Sequence, residues 1–157
     1  NRAGLGVACA LTSRGGRMAS VFTKIIDGEL PGRFVWKDDR AVAFLTINPV
    51  KPGHTLVVPR DEVDHWIDLE TDLAKHVMGV CHGVGRAIQQ AFTPKRVGQA
   101  IVGIEVPHVH VHLIPIDAIA DLDFSKADPN PKPEDLDAAA ERIRRALRDL
   151  GHAEVAE

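Results

Sequence analysis

A chain of 157 residues has the size of one domain with a core large enough to fold alone. Its 45% hydrophobic and 26% charged content and its net charge of −3 are those of a soluble globular protein, and give no broad nucleic-acid or membrane surface. No apolar run approaches a membrane span, and Cys9 and Cys81 form no metal or redox spacing, so a reducing cytoplasm is the expected setting.

Residues 1–17 read poorly as part of a fold. They hold four glycines and three arginines, and the apolar stretch Leu5 to Leu11 is short and followed by Arg14 and Arg17, unlike a signal peptide. They are expected to be an N-terminal extension, with Met18 as the natural start. From Val21 the pattern tightens. Residues 21–26 predict a short amphipathic turn, stopped by Asp27-Gly28 and Pro31-Gly32. Phe34 to Lys37 and Ala41 to Leu45 read as a hairpin around Asp38-Asp39-Arg40. Asn48-Pro49 and Lys51-Pro52-Gly53 mark a loop, and a third strand opens on His54 and runs to Pro59.

Asp61 to Asp68 is acidic and irregular. Thr71 has the character of an N-cap, and Leu73, Val77, Val80, Val84, Ile88 and Ala91 recur at helical spacing up to Phe92. Gly79, Gly83 and Gly85 each weaken that helix by about 1 kcal/mol relative to alanine. Gly79 and Gly83, one turn apart, either admit a close-packed neighbour or sit on an exposed face. Val97 to Val102 reads as a strand, 103–107 as a loop, and Asp117 to Pro133 as a long acidic, proline-rich surface loop. Pro133 suits the first position of a helix whose stripe is Leu136, Ala140, Ile143, Leu147 and Leu150, ended by Gly151. About five strands, mostly in antiparallel hairpins, with a long central helix, a short N-terminal helix and a C-terminal helix, make an α+β domain.

The stretch from His108 to Pro115 stands apart. Histidine and apolar residues alternate, which predicts a strand with His108, His110 and His112 on one face, roughly 6–7 Å apart, and Val109, Val111 and Leu113 on the other. Three imidazoles in a row suit a nucleophilic histidine oriented by its neighbours, or a metal site completed by ligands from elsewhere.

His108-Val109-His110-Val111-His112-Leu113-Ile114 resembles the signature of the histidine triad (HIT) family. Phe22 to Pro31 resembles that family's N-terminal segment, and Ala43 to Pro49 and Pro52 to Pro59 its second and third strands. The similarity runs in order from about Val21 to Ile116, so residues 18–116 are expected to form the HIT domain, with 117–157 a loop and helix packed on it. The resemblance implies a homodimer that binds a purine nucleotide and cleaves at its α-phosphate without a cofactor or metal. The nucleophile should be His110, with His112 supporting charge on the phosphate oxygens, His108 at the end of the row, and His54 serving the leaving group or the phosphate. By the same resemblance, Val21, Phe22, Ile25, Leu45 and Ile47 line the base cleft.

Three departures from the family pattern bear on function. Thr46 stands where many relatives carry an aspartate that grips the ribose, and a hydroxyl lacks the charge-assisted bidentate bond. Ser20 and Thr23 occupy the positions of a Cys-x-x-Cys through which some bacterial members hold zinc, so no such site is expected. Glu105 replaces the serine or threonine that relatives often place near the phosphate, where a carboxylate either repels phosphate or fixes the loop through backbone N–H bonds. A nucleotide-binding protein with little catalysis and a metal-dependent hydrolase using the His-x-His pair are the competing readings.

Overall fold

The computed structural model describes residues 18–157; the expected extension at 1–17 lies outside the described residues. In chain order the elements are α1 (Val21–Ile26), β1 (Phe34–Lys37), β2 (Ala41–Leu45), β3 (Thr55–Pro59), α2 (Thr71–Phe92), β4 (Arg96–Ala100), β5 (Val111–Ile116) and α3 (Pro133–Asp149). Short 3-10 turns lie at Trp66–Asp68, Ile119–Leu122 and Phe124–Lys126. The five strands form one antiparallel sheet in the order β1-β2-β3-β5-β4. This is the expected α+β architecture.

The period-2 alternation of the strands sorts side chains to two covered faces. Ala41, Ala43 and Leu45 of β2, Val57 of β3, and Val111 and Leu113 of β5 face α2 and α3, where they meet Val77, Val84, Ile88, Ile143 and Leu147. Val42 and Phe44 of β2 and Leu56 and Val58 of β3 face the other way, against Phe22 of α1. Both faces being covered, every residue of β2 and β3 is buried, and neither strand shows a polar face. The second face carries the site, because β5 pairs Leu56 with His112 and so puts the imidazole on Leu56's side.

α2 begins at the residue expected to cap it, so its N-cap lies one residue earlier. Thr71 is its first residue, Glu70 stands at the N-cap without a side-chain bond, and the Ala74 N–H already bonds the Glu70 carbonyl. The two glycines on α2 have different surroundings. Gly79 is exposed, with nothing within 4 Å of where a Cβ would stand, whereas a Cβ on Gly83 would meet His152 at 3.2 Å and Trp36 at 3.5 Å. The close neighbour admitted at Gly83 therefore comes from this same chain.

The histidine strand is shorter than its sequence suggests. β5 starts at Val111, not His108, because the backbone before it bonds elsewhere: the His108 N–H to the Val106 carbonyl and the Val109 N–H to the Val63 carbonyl. Two features beyond the expected strands close the structure. The segment 117–133 contains two 3-10 turns instead of plain loop, and residues 154–156 run along the outer edge of β1, with the Lys37 N–H bonding the Glu154 carbonyl and the Ala156 N–H the Val35 carbonyl. Among the described residues no helix is long and apolar enough to cross a membrane.

Candidate active site

The turn before β3 sets one side of the site. Gly53 adopts φ +94°, and a Cβ there would come within 2.7 Å of the Phe92 ring, so only glycine fits. That turn delivers His54 into the interior, 2% exposed, with its Nδ1 accepting the Val50 N–H at 3.1 Å. Its other nitrogen must then carry the proton, and Nε2–H donates to His112 Nδ1 at 2.9 Å. The His112 proton is left on Nε2.

The other end of the row is fixed by carbonyls, which can only accept. His108 Nε2–H donates to the Pro59 carbonyl at 2.8 Å, and its Nδ1 accepts from the Ser20 hydroxyl at 2.7 Å. His110 Nδ1–H donates to the His108 carbonyl at 2.7 Å, so a neutral His110 keeps its lone pair on Nε2. The partners thus fix one tautomer for each of the four imidazoles. His110 and His112 stand side by side, ring centres 4.9 Å apart, one with an accepting Nε2 and the other with a donating Nε2–H.

Burial keeps these rings neutral. It is the largest cause in every case, because the charged form loses water. It holds His54 down to about 3, helped by repulsion from His112 and His110, and His112 down to about 4, helped by His110. His108 and His110 are also lowered by burial; the Pro59 carbonyl and the Glu62 carboxylate oppose it at His108, and the His108 carbonyl and the Glu105 carboxylate at His110.

Beside the pair lies a cleft of about 530 Å³, largely apolar. Val21, Phe22 and Ile25 line it from α1, Leu45, Thr46 and Ile47 from the end of β2, and Glu105 from the loop before the triad. His110 and His112 form part of its wall, and the Phe22 ring stands edge-on to His110 at 4.8 Å. His108, fully buried, and His54 are not on the cleft surface; they sit behind His110 and His112. Thr46 Oγ1 accepts the Asn48 N–H at 3.2 Å.

Sequence reasoning missed Phe124, which lines the cleft and packs its ring against His112 at 4.7 Å and His54 at 6.2 Å. It comes from the acidic, proline-rich segment. Asn48 and Pro49 hold that segment down through bonds to the Asp128 carbonyl and N–H, at 3.1 and 2.9 Å. A lone aromatic in a polar loop carries no periodic signal, so nothing local marks it. The sequence marks Ser20 only as a departure from a cysteine position; its bond to His108, 88 positions away, leaves no local signal.

The HIT domain profile matches residues 27–119, more than half of the chain. The chain belongs to the histidine triad (HIT) family. This HIT protein is 31% identical over 141 residues to "Protein hit" of Bacillus subtilis, across 81% of this chain and 93% of that protein. Its fold superposes on a zinc-bound histidine triad family protein from Mycobacterium smegmatis with a TM-score of 0.74 at 26% identity, covering 86% of this chain and 97% of that one. A hypothetical histidine triad nucleotide-binding protein from Sulfolobus tokodaii gives 0.71 at 27%, covering 82% and 92%.

The residues at the N-terminus of α1 do not fit zinc in this HIT protein. Ser20 and Thr23 offer neutral hydroxyls in place of thiolates. Ser20 already donates to His108 Nδ1, and Thr23 Oγ1 donates to the Glu62 carboxylate at 3.2 Å. Among the described residues no group of three or more histidine, cysteine, aspartate or glutamate side chains could hold a metal ion.

Proposed function

We propose that this HIT protein is a cytoplasmic, homodimeric hydrolase or transferase that binds a purine nucleotide and cleaves at the α-phosphate of a nucleoside monophosphate conjugate through a nucleotidyl-His110 intermediate. One observation carries this reading: the 2.7 Å bond from His110 Nδ1–H to the His108 carbonyl, which leaves a lone pair on Nε2 of a neutral ring at the cleft wall. In the first step that lone pair attacks phosphorus, the P–N bond forms, and the bond to the leaving group breaks with its electrons going to that group. Water then attacks the same phosphorus, the electrons of the P–N bond return to Nε2, and the water's proton is lost to solvent. His112 Nε2–H donates to a phosphate oxygen during both steps. His54 orients His112, since both of its own nitrogens are bonded. The base stacks among Val21, Phe22, Ile25, Leu45 and Ile47, while Thr46 and Glu105 border the ribose and phosphate ends.

A panel of AMP conjugates tests this: a phosphoramidate, a diadenosine polyphosphate and an adenylylated amino acid, assayed for AMP release with and without EDTA. At least one should be turned over, at the same rate in chelator. Loss of activity in EDTA and its return with zinc would favour the metal-dependent reading. The Thr46 hydroxyl, already bonded to Asn48, favours a second reading as a nucleotide-binding protein with little catalysis; AMP binding by calorimetry with no turnover of any conjugate would select it.

The dimer is supported by the two sheet edges. The β1 edge is covered by residues 154–156, whereas β4, at the opposite end, has β5 as its only strand partner among the described residues. Next to it Met78 of α2 is 55% exposed. An open strand edge beside exposed apolar surface is a template for pairing with a second copy. Light scattering at micromolar concentration should give twice the chain mass, and a monomer there would sink this part of the proposal.

A further inference from the structure

We propose that Ser20 is a positioning residue: its hydroxyl joins the helix that walls the cleft to the carbonyl that orients His110. The inference rests on the hydrolase reading for its kinetic part and on the hydrogen bonds alone for the rest. Ser20 is buried and stands at the N-cap of α1, where its Oγ accepts the Thr23 N–H at 3.1 Å and so fixes the start of the helix that carries Val21, Phe22 and Ile25. The one proton of the same hydroxyl goes to His108 Nδ1. With the Pro59 carbonyl on its Nε2–H, the His108 ring is held at both nitrogens, between α1 and the end of β3. The backbone carbonyl of that clamped residue accepts His110 Nδ1–H. Glu62 backs the arrangement, its carboxylate accepting both the Ser20 backbone N–H and the Thr23 hydroxyl.

The consequence is chemical. His110 attacks through Nε2 only while its proton stays on Nδ1, and the His108 carbonyl is what keeps it there. Without a donor at His108 Nδ1, the buried nitrogen has no partner, the ring exchanges tautomers or turns, and the carbonyl moves with it. A nucleophile that samples both tautomers and a wider range of positions loses rate without losing its nucleotide site, by about 10- to 100-fold for a shift on the ångström scale.

The test separates the donor from the cap. Glycine is nearly as good an N-cap as serine but has no hydroxyl, so Ser20→Gly removes the donor and keeps the helix start. Thr23 Oγ1 lies 3.4 Å from the same nitrogen and could replace the lost donor, so the deciding variant is Ser20→Gly with Thr23→Val. The deciding measurement is ¹⁵N NMR of the imidazoles at pH 7.5, which distinguishes Nδ1–H from Nε2–H rings. The unaltered protein should show His110 as the Nδ1–H tautomer; the double variant should show a mixture. In turnover, kcat should fall about 10- to 100-fold with KM little changed, and Ser20→Thr, which restores a capping hydroxyl donor, should recover it. His110 remaining a single Nδ1–H tautomer in the double variant would overturn the proposal, whatever happens to the rate. If the unaltered protein releases no AMP from any conjugate, the hydrolase reading fails on its own and the tautomers still decide on Ser20.

Discussion

His110→Ala is expected to cut AMP release by about four orders of magnitude or more, the scale of removing a covalent nucleophile. The attack on phosphorus has no substitute in the site. His112 presents Nε2–H, a donor, because its Nδ1 accepts the hydrogen bond from His54 Nε2–H, and His108 and His54 sit behind the cleft wall. His112→Ala and His54→Ala should cost less, since each leaves the His110 lone pair in place. The fold should survive His110→Ala with a measurable loss. His110 is 7% exposed, more buried than a strand-face imidazole would be, and its removal leaves the His108 carbonyl without its donor, a cost of about 1–3 kcal/mol. Mass spectrometry of protein quenched during turnover should find the nucleotide on His110. Adduct on another residue, or full turnover in the variant, would overturn the assignment.

Acidification should destabilise this domain well before its carboxylates are protonated. Unfolded, each of the four site imidazoles takes up a proton near pH 6.5; folded, each resists, His112 down to about 4 and His54 to about 3. Stability is therefore complete above about pH 6.5 and is lost as the pH falls from there toward the folded values, where the unfolded chain binds more protons. Each imidazole contributes up to about 1.4 kcal/mol per pH unit over its window. His54 and His112 alone give about 3 kcal/mol per unit between pH 6 and 4, against a typical total of 5–15 kcal/mol. The urea midpoint, followed by circular dichroism from pH 7.5 to 4.5, should fall steeply below pH 6.5. A midpoint that stays level from pH 7 to 5 would mean that the four rings are solvated or already charged in the folded protein.

Both expectations trace to features of unequal legibility in the sequence. The histidine strand and the helix faces were readable because they rest on periodicity: the alternation in β5 and the Leu136-Ala140-Ile143-Leu147 stripe of α3 each specify a buried side. The triad was readable because three histidines at period 2 have little purpose on an ordinary strand. What joins these residues was not readable. The Ser20–His108 bond spans 88 positions, and the His54–His112 bond 58. Such pairings depend on how the sheet stacks its strands, and a local pattern contains no information about them. The same holds for Phe124 and for the end of the histidine strand, where bonds to Val63 and Val106 override the alternation.

The stretch by which the family is recognised stops at residue 119, but the cooperative unit does not. Ala139, Ala140, Ile143 and Leu147 of α3 belong to the same core as β2, β3 and α2, and Glu154 and Ala156 bond the backbone of β1. A fragment ending at 119 would keep all four site histidines yet bare the part of the helix-facing layer that α3 covers, over α2, β1 and β2, leave β1 with an open edge and take Phe124 away from His112. For this chain the boundary of kinship and the boundary of folding are different lines, and a transplant of the triad into another scaffold would have to follow the second.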